Sequence, residues 1–296
     1  MLATEQIEDM RKLLPSGHGC CPGCQGPVAT KMILRTLGRR VILFGSGGCG
    51  DFTPKTVPYF GLHFSGVGTG ATGILAALEM KDRKDVTVIS LAGDGATGDI
   101  GFGKLAAIAE RNDNMIHFCY DNEAYMNTGI QKSGLTPFGA WTTTTPAGKT
   151  TRKKDVPMAL AAMKIPYVAT VTVAYRGDFQ NKVKKASGIQ GFKYIHVLEP
   201  CPTGWRVSPE KSVEVLRLAV QSHMWNLYEI ENGVFKLTMK PKEVPVKEYF
   251  KIQGRFRHLK EEDMQRIQKF VDEDWARLKE WDGKSVWVGT PWRATA

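Results

Sequence analysis

Two polar residues in the middle of the sequence, Asp94 and Asn122, each follow an apolar run. Carboxylate and amide oxygens are the ligands that Mg²⁺ prefers, and Mg²⁺ in proteins usually also contacts phosphate oxygens. Asp94 lies between Gly93 and Gly95. Because glycine has no side chain, a diphosphate could approach the backbone closely at this point. These residue types therefore predict a site for Mg²⁺ and a diphosphate.

The segments around these residues have the pattern of a βαβ unit. Residues 86–92 and 115–120 are apolar runs of strand length, and residues 101–112 between them have the apolar spacing of a helix. Parallel strands of such a unit end at the same edge of the sheet, so Asp94 and Asn122 can meet although they are distant in sequence. A Gly-Asp-Gly triplet also occurs in ordinary strand-to-helix turns, where the Asp caps the helix. The triplet alone leaves both interpretations open.

The sequence after this unit resembles a known cofactor motif. Residues 121–129, Asp-Asn-Glu-Ala-Tyr-Met-Asn-Thr-Gly, have the spacing expected of the diphosphate and magnesium motif of thiamine diphosphate enzymes. Together with residues 131–134 and 137–146, they resemble the beta subunit of the 2-oxoacid:ferredoxin oxidoreductases of the pyruvate type. The resemblance implies an α/β thiamine diphosphate-binding fold. Its sheet would be mostly parallel and twisted, with helices on both faces, and a C-terminal arm and helix would follow.

The resemblance also implies roles for individual residues. The side chains of Asp94 and Asn122 and the backbone carbonyl of Ala124 would bind Mg²⁺. Asn127 matches the family residue near the reacting end of the thiamine, where its amide can orient the ring or an intermediate; a plain turn residue before Gly129 is the alternative. The other positions implied to contact the cofactor are Gly48, Gly68, Gly93, Gly95 and Thr128.

The six cysteines provide a second kind of chemistry. Cys21 and Cys24 form a Cys-x-x-Cys pair, Cys49 follows in a glycine-rich turn, and Cys201 lies in a loop between two prolines. From spacing alone, four such thiolates suit a zinc ion as well as an iron–sulfur cluster. The resemblance implies one [4Fe-4S] cluster held by these four residues. The two remaining cysteines are predicted to be packing residues, Cys20 and Cys119.

Composition restricts the function further. The chain has 296 residues, 42% of them hydrophobic, and no apolar run long enough to span a membrane. We expect a soluble, cytoplasmic protein. The formal net charge of +10 suits acidic partners such as ferredoxin, the phosphates of coenzyme A or other subunits, although a merely solvated basic face is the alternative. No nucleic-acid-binding motif is present, so neither nucleic acid nor a membrane is an expected partner.

The sequence divides into two predicted parts. Residues 1–230 form the thiamine diphosphate-binding domain with the cysteine loops, and residues 231–296 form a C-terminal arm and an amphipathic helix. Residues 1–15 have the pattern of a short amphipathic helix. The glycine-rich stretch 66–73 opens another predicted helix, where free amides could bind an anion. Tight helix packing is the alternative explanation for those glycines.

The resemblance implies oxidative decarboxylation of a 2-oxoacid, with coenzyme A accepting the acyl group and ferredoxin the electrons. Alpha, gamma and delta-type subunits would complete the enzyme, because the activating glutamate of the family lies in the alpha subunit. We favour pyruvate as the substrate. The sequence departs from the usual pyruvate pattern at residues 25–26, 47–48 and 66–68, so oxalate, without coenzyme A, and aromatic or branched 2-oxoacids are alternatives. A non-oxidative decarboxylase and a zinc-stabilised, non-catalytic scaffold are the other classes considered.

Overall fold

A computed structural model describes residues 15, 17–53 and 55–289. Residues 1–14 of the predicted N-terminal helix lie outside this part of the chain. One sheet with the strand order β2-β1-β3-β4-β6-β5-β7-β8 organises the described residues. Its strands are β1 Val41–Gly45, β2 Tyr59–Gly61, β3 Thr87–Gly93, β4 Ile116–Asp121, β5 Tyr167–Thr172, β6 Lys193–Leu198, β7 Tyr228–Glu231 and β8 Val234–Leu237.

The strands from β2 to β5 in this order run parallel, and the hairpin of β7 and β8 continues the sheet antiparallel. Every residue of β4, β5 and β6 is buried. Strands buried on both faces are typical of parallel sheets that helices cover on each side. The two apolar runs of the predicted βαβ unit are β3 and β4, which confirms the mostly parallel α/β fold.

Helices lie on both faces of the sheet, and each face has its own hydrophobic core. Neighbouring residues of β4 show the alternation: Phe118 belongs to one core and Cys119 to the other. The first core includes Met32 and Phe179, and the second includes Leu105. The helices are α1 Gly26–Leu37, α2 Thr69–Met80, α3 Phe102–Arg111, α4 Val156–Ala162, α5 Arg176–Gly188, α6 Pro202–Trp205, α7 Ser212–Gln221, α8 Val246–Lys251 and α9 Glu261–Trp281.

The C-terminal segment packs onto this sheet. The predicted division at residue 230 falls inside β7, and residues 238–245 have no regular secondary structure before α8 begins. The predicted amphipathic helix is α9, which buries Ile267, Val271 and Trp275. Among the described helices, none is long and apolar enough to cross a membrane.

Candidate functional site

The candidate site lies at the carboxyl edge of the sheet. Gly93 at the end of β3 pairs with Tyr120 of β4, and Asp121 at the end of β4 pairs with Leu198 of β6. The loops after β1, β3, β4 and β6 therefore start from the same edge. These loops carry the predicted ligands Cys49, Asp94, Asn122 and Cys201.

Three polar groups converge where Mg²⁺ was predicted. One terminal atom of the Asn122 amide lies 3.1 Å from Asp94 Oδ1 and 2.9 Å from the carbonyl oxygen of Ala124. With its nitrogen there, the amide donates a hydrogen bond to each of these oxygens; with its oxygen there, three oxygens face one another. Ligands about 2.1 Å from Mg²⁺ in adjacent octahedral positions stand about 3 Å apart. The three predicted ligands therefore fit this ion by type, and the Asn122 amide stands at the spacing of adjacent ligands from each of the other two.

The electrostatics of Asp94 also favour a cation. Asp94 is 2% exposed, and the Ser133 hydroxyl donates a hydrogen bond of 2.5 Å to its Oδ2. Burial, and then the charge of Asp121, raise the pKa of Asp94 well above its usual value. Asp94 forms no ion pair with any residue that the structure describes. A divalent cation would supply the positive charge that this carboxylate lacks.

A network of charged side chains lies behind the predicted ligand Asn122. Lys153 Nζ lies 2.6 Å from Asp121 Oδ2 and 2.7 Å from Glu123 Oε1. Arg255 Nη2 lies 2.6 Å from Glu123 Oε2, and His196 Nε2 lies 2.9 Å from Asp121 Oδ2. Burial by itself would raise the pKa of Asp121, but Lys153 and His196 outweigh it and hold that pKa below its usual value. Asp121 is therefore an ionised partner of Lys153.

Aromatic rings explain three of the predicted cofactor glycines. A Cβ atom on Gly95 would stand 2.3 Å from the Tyr125 ring. A Cβ atom would stand 3.2 Å from the Tyr120 ring at Gly93 and 2.9 Å from the Tyr120 hydroxyl at Gly48. Gly48 also has a φ of 120°, which side chains disfavour. Packing therefore also favours glycine at these positions, most strongly at Gly95.

Gly68 has a different environment. It has a φ of 71°, and a Cβ atom there would contact Met115, Ser90 and Ile108 at 3.0–3.3 Å. These neighbours are buried residues of the interior. Of the two explanations for the glycine-rich helix start, the contacts of Gly68 favour tight packing. Its predicted contact with the cofactor stays a prediction.

The remaining motif residues form a tight turn after Ala124. Tyr125 and Gln131 bridge the ends of the turn, and Gly129 has a φ of 122°. The Thr128 hydroxyl donates a hydrogen bond of 2.7 Å to Gln131 Oε1. Asn127 is exposed and lines a cavity together with Asn122. The turn therefore presents the Asn127 amide beside a predicted metal ligand.

That cavity has a volume of about 230 Å³ and joins the predicted metal edge to the cysteine loops. All the cysteines are free, and Cys119 is fully buried in β4, away from the cavity. Within the described ranges, no group of three or more His, Cys, Asp or Glu side chains stands so as to hold a metal ion. The cysteines that line the cavity are Cys20, Cys21, Cys24, Cys49 and Cys201.

The chemistry of this cavity depends on burial. Burial, and then the neighbouring Cys201, raise the pKa of the Cys49 thiol to about 12. Burial also raises the pKa values of Cys24 and Cys201. A positive metal centre would reverse this preference, because a coordinated thiol is deprotonated. Burial thus favours the neutral thiol at Cys24, Cys49 and Cys201, and a bound metal centre would favour the thiolate.

Sequence reasoning missed Glu199, which also lines this cavity and is 5% exposed. Burial, and then the charge of Asp121, raise its pKa to about 8. Its position two residues before Cys201 was the sequence feature that could have indicated a place beside the cysteines. Lys153 and Arg255 were missed as well, and for Arg255 no local signal exists because it is far from Glu123 in sequence.

Comparisons with known proteins agree with this geometry. A sequence profile described as the thiamine pyrophosphate enzyme, C-terminal TPP binding domain, matches residues 47–197. A chain of a 2-oxoglutarate:ferredoxin oxidoreductase from Magnetococcus marinus has a similar fold, with a TM-score of 0.59 and 21% identity over 71% of this chain and 80% of that chain. The fold and the site thus define a thiamine pyrophosphate-binding domain of the α/β class.

Two relatives narrow the class. Pyruvate synthase subunit PorB of Methanocaldococcus jannaschii is 46% identical over 87% of this chain and 93% of its own length. Ketoisovalerate oxidoreductase subunit VorB of Pyrococcus abyssi is 42% identical over 89% of this chain and 91% of its own length. The chain belongs to the beta subunits of the 2-oxoacid:ferredoxin oxidoreductases and is therefore an oxidoreductase subunit. This confirms the family that the sequence motifs resembled.

Proposed function

We propose that the chain binds thiamine diphosphate through a Mg²⁺ ion held by Asp94, Asn122 and the carbonyl oxygen of Ala124. The position of the Asn122 amide, 3.1 Å from Asp94 Oδ1 and 2.9 Å from the Ala124 carbonyl oxygen, is the observation that carries the proposal. The buried Asp94 carboxylate, which lacks a cationic partner among the described residues, supports it further. When bound, the cofactor would supply the nucleophilic carbon and the electron sink for decarboxylation of a 2-oxoacid.

The residues of this chain would bind and orient that cofactor. Gly48, Gly93 and Gly95, whose Cβ sides face the Tyr120 and Tyr125 rings, would approach the diphosphate with their backbone groups. Thr128 would support the turn that follows the metal ligands. Asn127 faces the cavity between the metal edge and the cysteine loops. From there its amide could orient the reacting end of the cofactor by hydrogen bonding, which is a positioning effect rather than proton transfer.

We further propose that Cys21, Cys24, Cys49 and Cys201 hold a [4Fe-4S] cluster. They line the same cavity as Asn122 and Asn127, so a cluster there would be close to the cofactor. Four thiolates suit such a cluster, and decarboxylation that is coupled to oxidation needs a one-electron carrier. Four thiolates also suit zinc. A zinc-stabilised scaffold without catalytic activity is therefore the competing proposal.

The proposed reaction joins one 2-oxoacid and one coenzyme A to give acyl-coenzyme A, carbon dioxide and a proton. The two electrons that are released reduce two ferredoxins. Alpha, gamma and delta-type subunits would contribute the residues that this chain lacks, and its net charge of +10 suits acidic partners. We favour pyruvate, in line with the PorB relative. A branched 2-oxoacid is the alternative that the VorB relative supports, and oxalate is a third.

Anaerobic purification of the full chain with its native partners tests these proposals. Iron, sulfide and zinc would be measured, and thiamine diphosphate binding would be titrated with and without Mg²⁺. Cluster iron and sulfide in this subunit, with Mg²⁺-dependent binding of the cofactor, would support the proposed function; zinc without sulfide would support the scaffold. Turnover of pyruvate, 2-oxoisovalerate and oxalate, each with and without coenzyme A, would then identify the substrate.

A further inference from the structure

The loop that carries Asn122 and Ala124 has an unusual backbone. Glu123 between them has a φ of 67°, in the left-handed region that residues other than glycine seldom adopt. Its amide donates a hydrogen bond of 2.9 Å to Asp121 Oδ1, and Thr136 Oγ1 donates one of 2.6 Å to its carbonyl oxygen. A strained conformation persists only where its surroundings hold it in place. The contacts of Asp121 and Glu123 therefore hold the backbone on both sides of Asn122.

Lys153 supplies the first of two cations to this loop. Its ammonium group lies within 2.7 Å of one carboxylate oxygen on each side of Asn122, at Asp121 and at Glu123. Lys153 also borders a cavity of about 430 Å³ behind the loop, and its side chain is 24% exposed. If Lys153 is removed, water from this cavity can therefore partly solvate the two carboxylates that it contacts.

Arg255 supplies the second cation, and it comes from the C-terminal segment. It is 2% exposed, and its Nη2 lies 2.6 Å from Glu123 Oε2. Its guanidinium group stacks 3.7 Å from the centre of the Trp205 ring. The Trp205 indole N–H donates a hydrogen bond of 2.7 Å to the backbone carbonyl of Asn122. Arg255 thus acts on both sides of this metal ligand, through Glu123 and through Trp205.

We propose that Arg255 and Lys153 are positioning residues for the magnesium site, which hold the Asn122 loop in its metal-binding conformation from behind. The inference rests on the proposed function, because it concerns the same metal. Mg²⁺ demands near-ideal octahedral geometry, so a small shift of Asn122 weakens binding strongly. Replacing residues that orient metal ligands typically costs 10–100-fold in metal affinity.

Electrostatics alone predict the opposite effect on Mg²⁺ affinity. Removing a cation near Asp94 would make the site more negative and should strengthen the attraction for Mg²⁺. The network pairs the two carboxylates of Asp121 and Glu123 with two cations, so its charge is balanced. A double variant, Glu123→Gln with Arg255→Met, removes one negative and one positive charge together. It therefore keeps the net charge of the network and removes the contact between the two side chains. It separates positioning from charge.

The test is a calorimetric titration of Mg²⁺ into the full chain, purified with its native partner subunits, with thiamine diphosphate present at a fixed excess. We expect Arg255→Met and the double variant each to raise the Kd for Mg²⁺ by 10–100-fold. Arg255→Lys, which keeps the charge, should recover part of the loss. Arg257→Met is the matched control, because Arg257 is exposed and only two residues away; it should leave the Kd unchanged.

Trp205→Phe keeps the inference testable if the Arg255 variants do not fold. It removes the hydrogen bond to the Asn122 carbonyl while keeping an aromatic ring beside Arg255, and it should raise the Kd for Mg²⁺ by about tenfold. An unchanged or lower Kd in the folded variants would overturn the inference. Failure of the unaltered protein to bind thiamine diphosphate with Mg²⁺ would instead refute the proposed function. The two failures are therefore distinguishable.

Discussion

Replacing Gly95 by alanine tests the packing that surrounds the proposed metal-binding loop. Gly95 has φ and ψ of −66° and −38°, so alanine fits its backbone conformation. The new Cβ atom would stand 2.3 Å from Cε1 and 2.5 Å from Cζ of the Tyr125 ring. The Tyr125 hydroxyl donates a hydrogen bond of 3.0 Å to Asp99 Oδ2, so the ring cannot move aside without losing that contact.

The expected cost follows from this overlap. Adding a methyl group to a packed site usually costs about 1–3 kcal/mol. A Tyr125→Ala background removes the ring atoms, and there Gly95→Ala should cost less than about 0.5 kcal/mol. The two changes should therefore couple by about 0.5–3 kcal/mol. Gly103→Ala is the control, because nothing lies within 4 Å of its Cβ position. Alanine is more stable than glycine inside a helix, so this variant should raise the free energy of unfolding by about 0.5–1 kcal/mol.

Urea unfolding of the full chain would measure the four free energies of the cycle, and thiamine diphosphate titration at saturating Mg²⁺ would measure the effect on the site. Gly95 directly follows Asp94, so displacement of this loop should weaken cofactor binding about tenfold or more. Free energies that simply add, with unchanged cofactor affinity in Gly95→Ala, would show that the Tyr125 ring does not determine the residue at position 95.

Ser133→Ala removes the hydroxyl that hydrogen bonds Asp94, so its Kd for Mg²⁺ should rise by about tenfold; an unchanged calorimetric Kd would contradict this role. Burial lowers the pKa of Lys193 from 10.5 to about 7, so between these pH values the unfolded chain binds the extra proton and stability rises with pH. Lys193→Met should be more stable at pH 7 by up to about 5 kcal/mol, and urea unfolding should show this gain shrinking towards pH 10; parallel pH profiles would refute it. Cys201→Ser should lose cluster iron, whereas Cys119→Ser should retain it, and equal iron contents would exclude Cys201 as a ligand.

The sequence was sufficient where local patterns carry the information. Apolar runs of strand length predicted β3 and β4, and the rule that parallel strands end at one edge predicted that Asp94 and Asn122 would meet. The structure places one atom of the Asn122 amide 3.1 Å from Asp94 Oδ1. The same patterns predicted that Cys119 would be buried in a strand, which it is. Periodicity and turn residues determine these features whatever the rest of the chain does.

Only the tertiary structure decided what surrounds the proposed metal ligands. The ion pair of Arg255 with Glu123, its stacking on Trp205 and the burial of Glu199 beside the cysteines have no local signature. From the sequence alone, an arginine in the C-terminal segment is expected to be a solvated surface charge, because the path of that segment across the sheet is not known. Gly68 likewise reads equally well as an anion site or a packing position until its neighbours are known. Contacts between distant parts of the chain depend on how whole elements pack, and no window of sequence contains that information.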